Sequence, residues 1–179
     1  MRHPARAIAL GTAVVLALLV AVFVTQIGDD PVAADRSNRL LGDPVPAFSV
    51  RTFDGDTFTD ADLDGPVIIN FWNSWCIPCR QELPALKEFF ARHDGEPNFT
   101  FLGIVRDDTE RAARKGAKAD GMSWLLAFDP DSQAALAFGT RGQPETFAID
   151  ENGRIVGFQY GPSTVKDLEQ LLARAQGRT

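Results

Sequence analysis

The chain has 179 residues, and 45% of them are hydrophobic, which suits one packed domain with short appendages. Its 24 acidic residues outnumber its 18 lysines and arginines and give a net charge of −6, so nucleic acid is a poor partner. Two cysteines are too few for a scaffold held together by disulfides, which favours a reactive role for them.

The N-terminal segment is typical of a membrane helix. An uncharged apolar run of 18 residues extends from Ala7 to Val24 and follows Arg2 and Arg6. This length exceeds the roughly 7–15 residues of a signal-peptide core and approaches the roughly 20 needed to span a bilayer. We therefore predict a retained anchor over residues 1–27, with its N-terminus in the cytoplasm. A cleaved signal peptide is the alternative, because small residues at 32–34 would permit cleavage.

Beyond the anchor the chain divides into a linker and one domain. Residues 28–43 are polar and contain Gly28, Pro31 and Gly42, as in a linker. Residues 44–179 form the predicted domain. All 24 acidic residues follow the anchor, whereas 2 of the 18 basic residues, Arg2 and Arg6, lie within it, so the exported part has a net charge of −8. Mild acidity of this kind usually serves solubility.

The first half of the domain predicts a hairpin, a buried strand, a helix and a second buried strand. Alternating residues 47–51 and 57–59 flank a turn, and residues 60–64 resemble a short turn or helix. The nearly continuous apolar run from Pro66 to Trp72 predicts a strand buried on both faces. A helix with a kink at Pro84 is predicted over 80–93, and another strand over 99–105.

The second half predicts helices alternating with strands. The expected elements are a polar helix capped by Asp108 or Thr109, an apolar segment, a short helix, a hairpin and a final helix capped by Ser163 or Thr164. Their ranges are 108–118, 123–128, 132–138, 146–149 with 154–160, and 165–172. Such an order predicts an α/β fold with a mixed central sheet and helices on both faces.

The segment from Trp75 to Arg80 contains both cysteines, Cys76 and Cys79, where a strand runs into a helix. Two thiols at this spacing are typical of a dithiol/disulfide redox pair. Cys76 falls at the helix start, where free N–H groups favour a thiolate, and Cys79 lies one turn further in. We therefore expect Cys76 to be the exposed attacking sulfur and Cys79 the more buried resolving sulfur.

Two other roles for the cysteine pair are less favoured. A metal site would need two more ligands, and the only histidines are His3 and His93. A purely structural disulfide that closes a two-residue loop would stabilise the fold little. We therefore predict no metal site.

The motifs around the pair resemble the thioredoxin superfamily. In that family a tryptophan precedes the pair, as Trp75 does here, and a proline kinks the helix five residues after the second cysteine, as Pro84 does. The family also has a cis-proline loop facing the disulfide, which residues 142–147 with Pro144 resemble. The resemblance implies that Pro144 is cis and that backbone near it pairs with an extended partner peptide.

Within this superfamily, the chain resembles the TlpA/ResA/DsbE (CcmG) branch most closely. This resemblance covers about residues 43–175. It is carried by Asn70-Phe-Trp, by Trp-Cys-x-Pro-Cys-Arg-x-Glu-x-Pro with Pro78 and Glu82, by a central insertion over 107–139, and by Gly-x-Pro-Glu-Thr-Phe with Glu145. It implies a thioredoxin-like fold with an N-terminal β-hairpin. It also implies a single-pass protein of the bacterial cell membrane with its catalytic domain on the periplasmic side.

The same resemblance implies a reductant in cytochrome c maturation. Electrons would pass from a membrane dithiol donor to apocytochrome c or another exported thiol protein. The Cys76–Cys79 disulfide would be the redox centre, without an added cofactor. Trp75 is expected to flank the site, and Trp72 to belong to the core.

One position departs from ordinary thioredoxins. They carry a buried aspartate six residues before the first cysteine, where this chain has Asn70. Asparagine cannot take up a proton, so any base for Cys79 must lie elsewhere or be water. Glu82 and Glu145 match acidic positions near the disulfide in this branch. We hypothesise that their negative charge disfavours the thiolate and makes the pair a better electron donor.

Other functions remain open at this point. The pair could oxidise secreted proteins or serve another envelope pathway, such as copper-centre assembly. The cis-proline groove could hold a haem-binding peptide as a chaperone, with incidental redox activity. Peroxiredoxin activity is disfavoured, because Asn73 occupies the position where that class usually has threonine.

Overall fold

A computed structural model describes residues 14–19, 21 and 39–178. The chain divides into two units, residues Met1–Arg36 and Ser37–Thr179. In the first unit, residues 14–19 and 21 are helical, with exposed side chains. Within the described residues, no helix has the length and apolar character that a membrane span requires. Most of the predicted anchor and linker lies outside the described residues, so both stay predictions.

The second unit is built on one seven-stranded sheet. The spatial order of its strands is β2-β1-β5-β4-β3-β6-β7. β3 pairs parallel with β4, and β4 with β5, whereas the remaining pairs are antiparallel. The predicted mixed sheet and N-terminal hairpin are therefore confirmed. The strands are β1 (Ser49–Thr52), β2 (Thr57–Thr59), β3 (Val67–Trp72), β4 (Thr100–Val105), β5 (Leu125–Phe128), β6 (Glu145–Ile149) and β7 (Ile155–Tyr160).

Four α-helices flank the sheet on its two faces. Core residues of α1, α2 and α4 pack in one cluster with Ile68 and Trp72, and those of α3 pack in the other with Ile69 and Phe71. All six residues of β3 are buried, as a strand covered on both faces requires. The helices are α1 (Ile77–His93), α2 (Glu110–Asp120), α3 (Gln133–Ala137) and α4 (Val165–Ala175), and short 3₁₀ turns occupy Asp60–Asp62 and Pro130–Ser132.

Helix α1 begins three residues before the predicted start at Arg80, because Cys76 caps it. Cys76 has an extended backbone, and its sulfur accepts a hydrogen bond from the N–H of Cys79 at 3.0 Å. Pro78 lies in the first turn, where its missing N–H has no helical partner to lose. Thr109 caps α2 and Thr164 caps α4, each being one of the two predicted candidates.

Gly65, which precedes β3, occupies a position that a side chain cannot enter. Its φ is +71°, and an added Cβ would lie 2.1 Å from the carbonyl oxygen of Asn98. We expect Gly65→Ala to lower the free energy of unfolding by about 3 kcal/mol, because strained backbone and a backbone clash add together. Urea unfolding followed by circular dichroism measures this loss.

Gly153 supplies the matched control. Its φ is also +71°, but a Cβ there meets nothing within 4 Å. Gly153→Ala should therefore cost only the backbone strain, about 1 kcal/mol. Equal losses for the two variants would show that the contact with Asn98 is relieved at little cost.

Candidate active site

The two cysteines form a disulfide at the N-terminus of α1. The S–S distance between Cys76 and Cys79 is 2.03 Å, and their Cα atoms are 5.3 Å apart. When the bond is reduced, the free N–H groups and the positive end of the helix dipole favour a thiolate at Cys76. The structure therefore describes the oxidised form of the predicted redox pair.

A loop spanning residues 139–144, which we call the cis-proline loop, lies against the disulfide. The Gln143–Pro144 peptide bond is cis, as the resemblance implied. The carbonyl oxygen of Gln143 lies 3.7 Å from the Cys76 sulfur. Because a disulfide sulfur carries no proton, this is a contact rather than a hydrogen bond. It places a backbone carbonyl of the loop beside the sulfur that a partner must reach.

The sequence predicted that Cys76 is exposed and that Cys79 is more buried. This prediction is wrong for the oxidised form. Cys76 is 3% exposed and Cys79 is 5% exposed, so neither residue is open to solvent. Two features explain the burial of Cys76: the Gln143 carbonyl lies against its sulfur, and its side chain belongs to a core cluster. Position at the helix start therefore does not imply exposure.

The accessible surface of the site comes from the neighbours of Cys76. Trp75 is 54% exposed and Ile77 is 70% exposed, and Pro78 is exposed as well. The Trp75 indole donates to the carbonyl oxygen of Asp107 at 3.0 Å, which fixes the ring at the surface. Trp72, by contrast, is buried in the core as predicted. A partner would meet an apolar rim before it reaches sulfur.

A buried polar cluster joins three elements of the site. The Asn70 amide donates to Glu82 Oε1 at 2.9 Å and to Thr146 Oγ at 3.0 Å. The N–H of Ser163 donates to the other oxygen of Glu82 at 2.9 Å. Asn70, whose amide cannot take up a proton, therefore helps to hold the Glu82 carboxyl in place.

Burial raises the pKa of Glu82 to about 7, and the hydrogen bonds from Ser163 and Asn70 only partly offset this effect. The residue is 2% exposed and lies three positions after Cys79 on α1, on the same side of the helix. Its carboxyl can therefore take up or release a proton near neutral pH. The negative charge that we assigned to Glu82 from the sequence consequently depends on pH.

Glu145 holds the cis-proline loop through hydrogen bonds to the loop backbone. Its Oε1 accepts the N–H groups of Arg141 at 2.7 Å and Gly142 at 2.9 Å. The side chain is fully buried, and this burial raises its pKa despite the two backbone hydrogen bonds and the positive charges of Arg141 and Arg106. Glu145 thus has a structural contact that its sequence position did not reveal.

Sequence reasoning did not identify Thr146, Ser163 or Arg106 as parts of the site. Thr146 carried a weak signal, because it lies two residues after Pro144 in the loop motif. Ser163 carried none, since it is 81 positions from Glu82. Among the described residues, no three His, Cys, Asp or Glu side chains are grouped so as to hold a metal ion.

Comparison with known proteins places this domain among thiol–disulfide exchange proteins. A family model described as the AhpC/TSA family matches residues 41–158. The thiol:disulfide interchange protein DsbE of Pseudomonas fluorescens biotype C is 39% identical over 152 residues, which cover 78% of this chain and 77% of that protein. The thiol-disulfide oxidoreductase ResA of Bacillus anthracis is 28% identical over 142 residues, covering 79% and 82%.

Solved structures agree with the sequence matches. The crystal structure of a DsbE-type thiol:disulfide interchange protein from Chlorobium tepidum superimposes with a TM-score of 0.68 and 29% identity. The superposition covers 75% of this chain and 96% of that chain. The residues that the family model matches, 41–158, include both cysteines and Pro144.

Proposed function

The chain belongs to the AhpC/TSA family, and from its likeness to DsbE and ResA proteins we propose that it reduces the haem-attachment disulfide of apocytochrome c outside the cytoplasmic membrane. It is a thioredoxin-like thiol–disulfide oxidoreductase, and its predicted resemblance to DsbE and ResA is confirmed. The observation that carries the proposal is the Cys76–Cys79 disulfide closed against the Gln143 carbonyl of a cis-proline loop. We propose the identity of the client protein, the direction of electron transfer and the location of the enzyme together.

The reaction is two successive thiol–disulfide exchanges. In the reduced enzyme the Cys76 thiolate attacks one sulfur of the client disulfide, forms a mixed disulfide and releases the other client sulfur as a thiolate. The Cys79 thiolate then attacks the Cys76 sulfur and releases the second client thiolate. The client gains two electrons and, at neutral pH, two protons, while Cys76 and Cys79 become the disulfide seen here. No added cofactor is required by this sequence of steps.

Glu82 supplies a proton acceptor for the second step. Cys79 must lose its proton before it attacks, and the Glu82 carboxyl, with a pKa of about 7, lies three residues further along α1. Thereafter a membrane dithiol donor would reduce the Cys76–Cys79 bond by the same two exchanges in reverse. The apolar segment over residues 1–27 would hold the enzyme close to that donor at the extracytoplasmic face.

The client is testable by trapping. Cys79→Ala should leave a stable mixed disulfide through Cys76, because the resolving sulfur is gone. The full-length variant is expressed in its native host. We expect mass spectrometry to identify apocytochrome c bound to Cys76 through its haem-attachment cysteines. The Cys76→Ala/Cys79→Ala double variant is the control and should capture nothing. Adducts formed only with other secreted proteins would refute the cytochrome assignment while leaving the exchange chemistry intact.

The direction is testable by redox equilibrium. A reductant should have a potential near that of thioredoxin, about −270 mV, whereas the oxidant DsbA lies near −120 mV. Equilibration of the enzyme with dithiothreitol or glutathione buffers measures this value. A potential near that of DsbA would favour the alternative in which the protein oxidises exported clients.

A further inference from the structure

Arg106 connects the two halves of the redox site. It directly follows β4, and its backbone N–H donates to the carbonyl oxygen of Trp72 at 3.1 Å. Its own carbonyl oxygen accepts from the Asn73 amide at 3.4 Å. Trp72 and Asn73 lead into the segment that carries Cys76, so the main chain of Arg106 is fixed to the cysteine half of the site.

The side chain of Arg106 is fixed to the other half. One guanidinium nitrogen, Nη1, donates to Thr140 Oγ at 2.8 Å and to the carbonyl oxygen of Gly142 at 3.1 Å. The Thr140 hydroxyl in turn donates to the carbonyl oxygen of Ala135 in the short helix α3. The guanidinium therefore holds the cis-proline loop where that loop leaves the helix.

The Gly142 residue is held from both sides. Its N–H donates to the Glu145 carboxyl at 2.9 Å, while its carbonyl oxygen accepts from Arg106. The positive charge of Arg106 also interacts favourably with Glu145. Gln143 follows directly, and its carbonyl oxygen is the atom that lies 3.7 Å from the Cys76 sulfur. Movement of Gly142 would therefore move the backbone edge that faces the disulfide.

We infer that Arg106 is a positioning residue for disulfide exchange with peptide clients: it sets the distance and orientation of the cis-proline loop relative to Cys76. The inference rests on the proposed function. A peptide must pair with the loop backbone while its disulfide meets Cys76, so a displaced loop weakens productive binding. A small reagent needs only access to the Cys76 thiolate, and because the loop covers Cys76, displacing the loop does not reduce that access.

The test compares peptide and small-reagent reactivity in the full chain with Arg106→Met, which removes the donors but keeps most of the side-chain volume. We expect kcat/KM for an oxidised Cys-x-x-Cys-His peptide to fall about tenfold, mainly through KM, while the rate of Cys76 alkylation by iodoacetamide does not fall. Arg106→Lys, which keeps the charge and one donor group, should recover most of the peptide rate.

Arg154→Met is the matched control. Arg154 Nη1 donates to the carbonyl oxygen of Gly42 at 2.9 Å, a contact of the same type outside the redox site. This variant should match the wild type in both assays. If Arg106→Met fails to fold, Arg106→Lys should still show a smaller loss with the peptide alone.

Three results overturn the inference: an unchanged peptide rate, equal losses with peptide and iodoacetamide, or the same selective loss in Arg154→Met. Failure of the proposed function is a separate result, because it would show in the wild type. A wild-type enzyme that reduces other disulfide peptides but not the cytochrome sequence would change the client, and the Arg106 comparison would then use the peptide that reacts.

Discussion

Replacing Cys76 by serine is expected to lower the rate of disulfide reduction at least about 1,000-fold, an effect of the size seen when an enzyme loses its nucleophile. A hydroxyl does not ionise near neutral pH, whereas a helix N-terminus favours the thiolate form of a cysteine. Serine is also a preferred N-cap residue, so its oxygen can take over the hydrogen bond that the Cys76 sulfur accepts from the N–H of Cys79. The helix should therefore survive while the chemistry is lost.

Cys79→Ser provides the comparison that separates the two cysteines. It should form the mixed disulfide with a peptide at a rate near that of the wild type but fail to turn over, because only the resolving step is lost. Stopped-flow kinetics with an oxidised peptide measures the first step, and a coupled steady-state assay measures turnover. Loss of the first step in Cys79→Ser, with its retention in Cys76→Ser, would reverse the assigned roles.

The second large effect is expected at Glu82, in the dependence of stability on pH. A carboxyl whose pKa is 4.5 in the unfolded chain and about 7 in the folded protein favours the folded state fully below pH 4.5. This contribution is lost as pH rises through 7 and amounts to about 3 kcal/mol in total. Glu82→Gln cannot ionise and should remove this part of the pH dependence. Urea unfolding at pH values from 4 to 8 measures it.

Glu151→Gln is the control for Glu82→Gln, since Glu151 lies in an exposed turn. It should follow the wild-type profile of stability against pH. Glu145 and Asp129 also have raised pKa values and contribute to the wild-type slope in the same sense, so the difference between variant and wild type isolates Glu82. Parallel profiles for the wild type and Glu82→Gln would show that folding does not raise the pKa of Glu82.

The same carboxyl should influence the redox equilibrium. Removing the charges in Glu82→Gln/Glu145→Gln should make the pair less reducing, with a shift on the order of 30 mV for each 1.4 kcal/mol of lost repulsion. The contribution of Glu82 should grow between pH 6 and pH 8, because the carboxyl ionises across that range. No shift, or one towards stronger reduction, would contradict the charge hypothesis, and the single variants would show which carboxyl acts.

Local signals in the sequence were sufficient to predict most of the helices and strands and the redox pair. The apolar run over 66–72 predicted the buried strand β3, and Thr109 and Thr164 marked helix starts that the structure contains. The spacing of Cys76 and Cys79 predicted the redox pair, and a family motif predicted the cis bond before Pro144. Each of these signals is contained in a short segment, where backbone preference and side-chain spacing act directly.

Tertiary structure alone decided how the site is surrounded. The antiparallel register of β3 and β6 places Asn70 opposite Thr146, and the packing of α1 brings Glu82 to Asn70 and Ser163. Arg106 reaches the cis-proline loop across 36 positions of sequence, and that loop covers Cys76, which the sequence predicted to be exposed. Contacts between residues so far apart in the chain depend on strand register and on helix packing. Burial in this packing also raises the pKa of Glu82. Neither the register nor the burial is determined by the few residues around the cysteines.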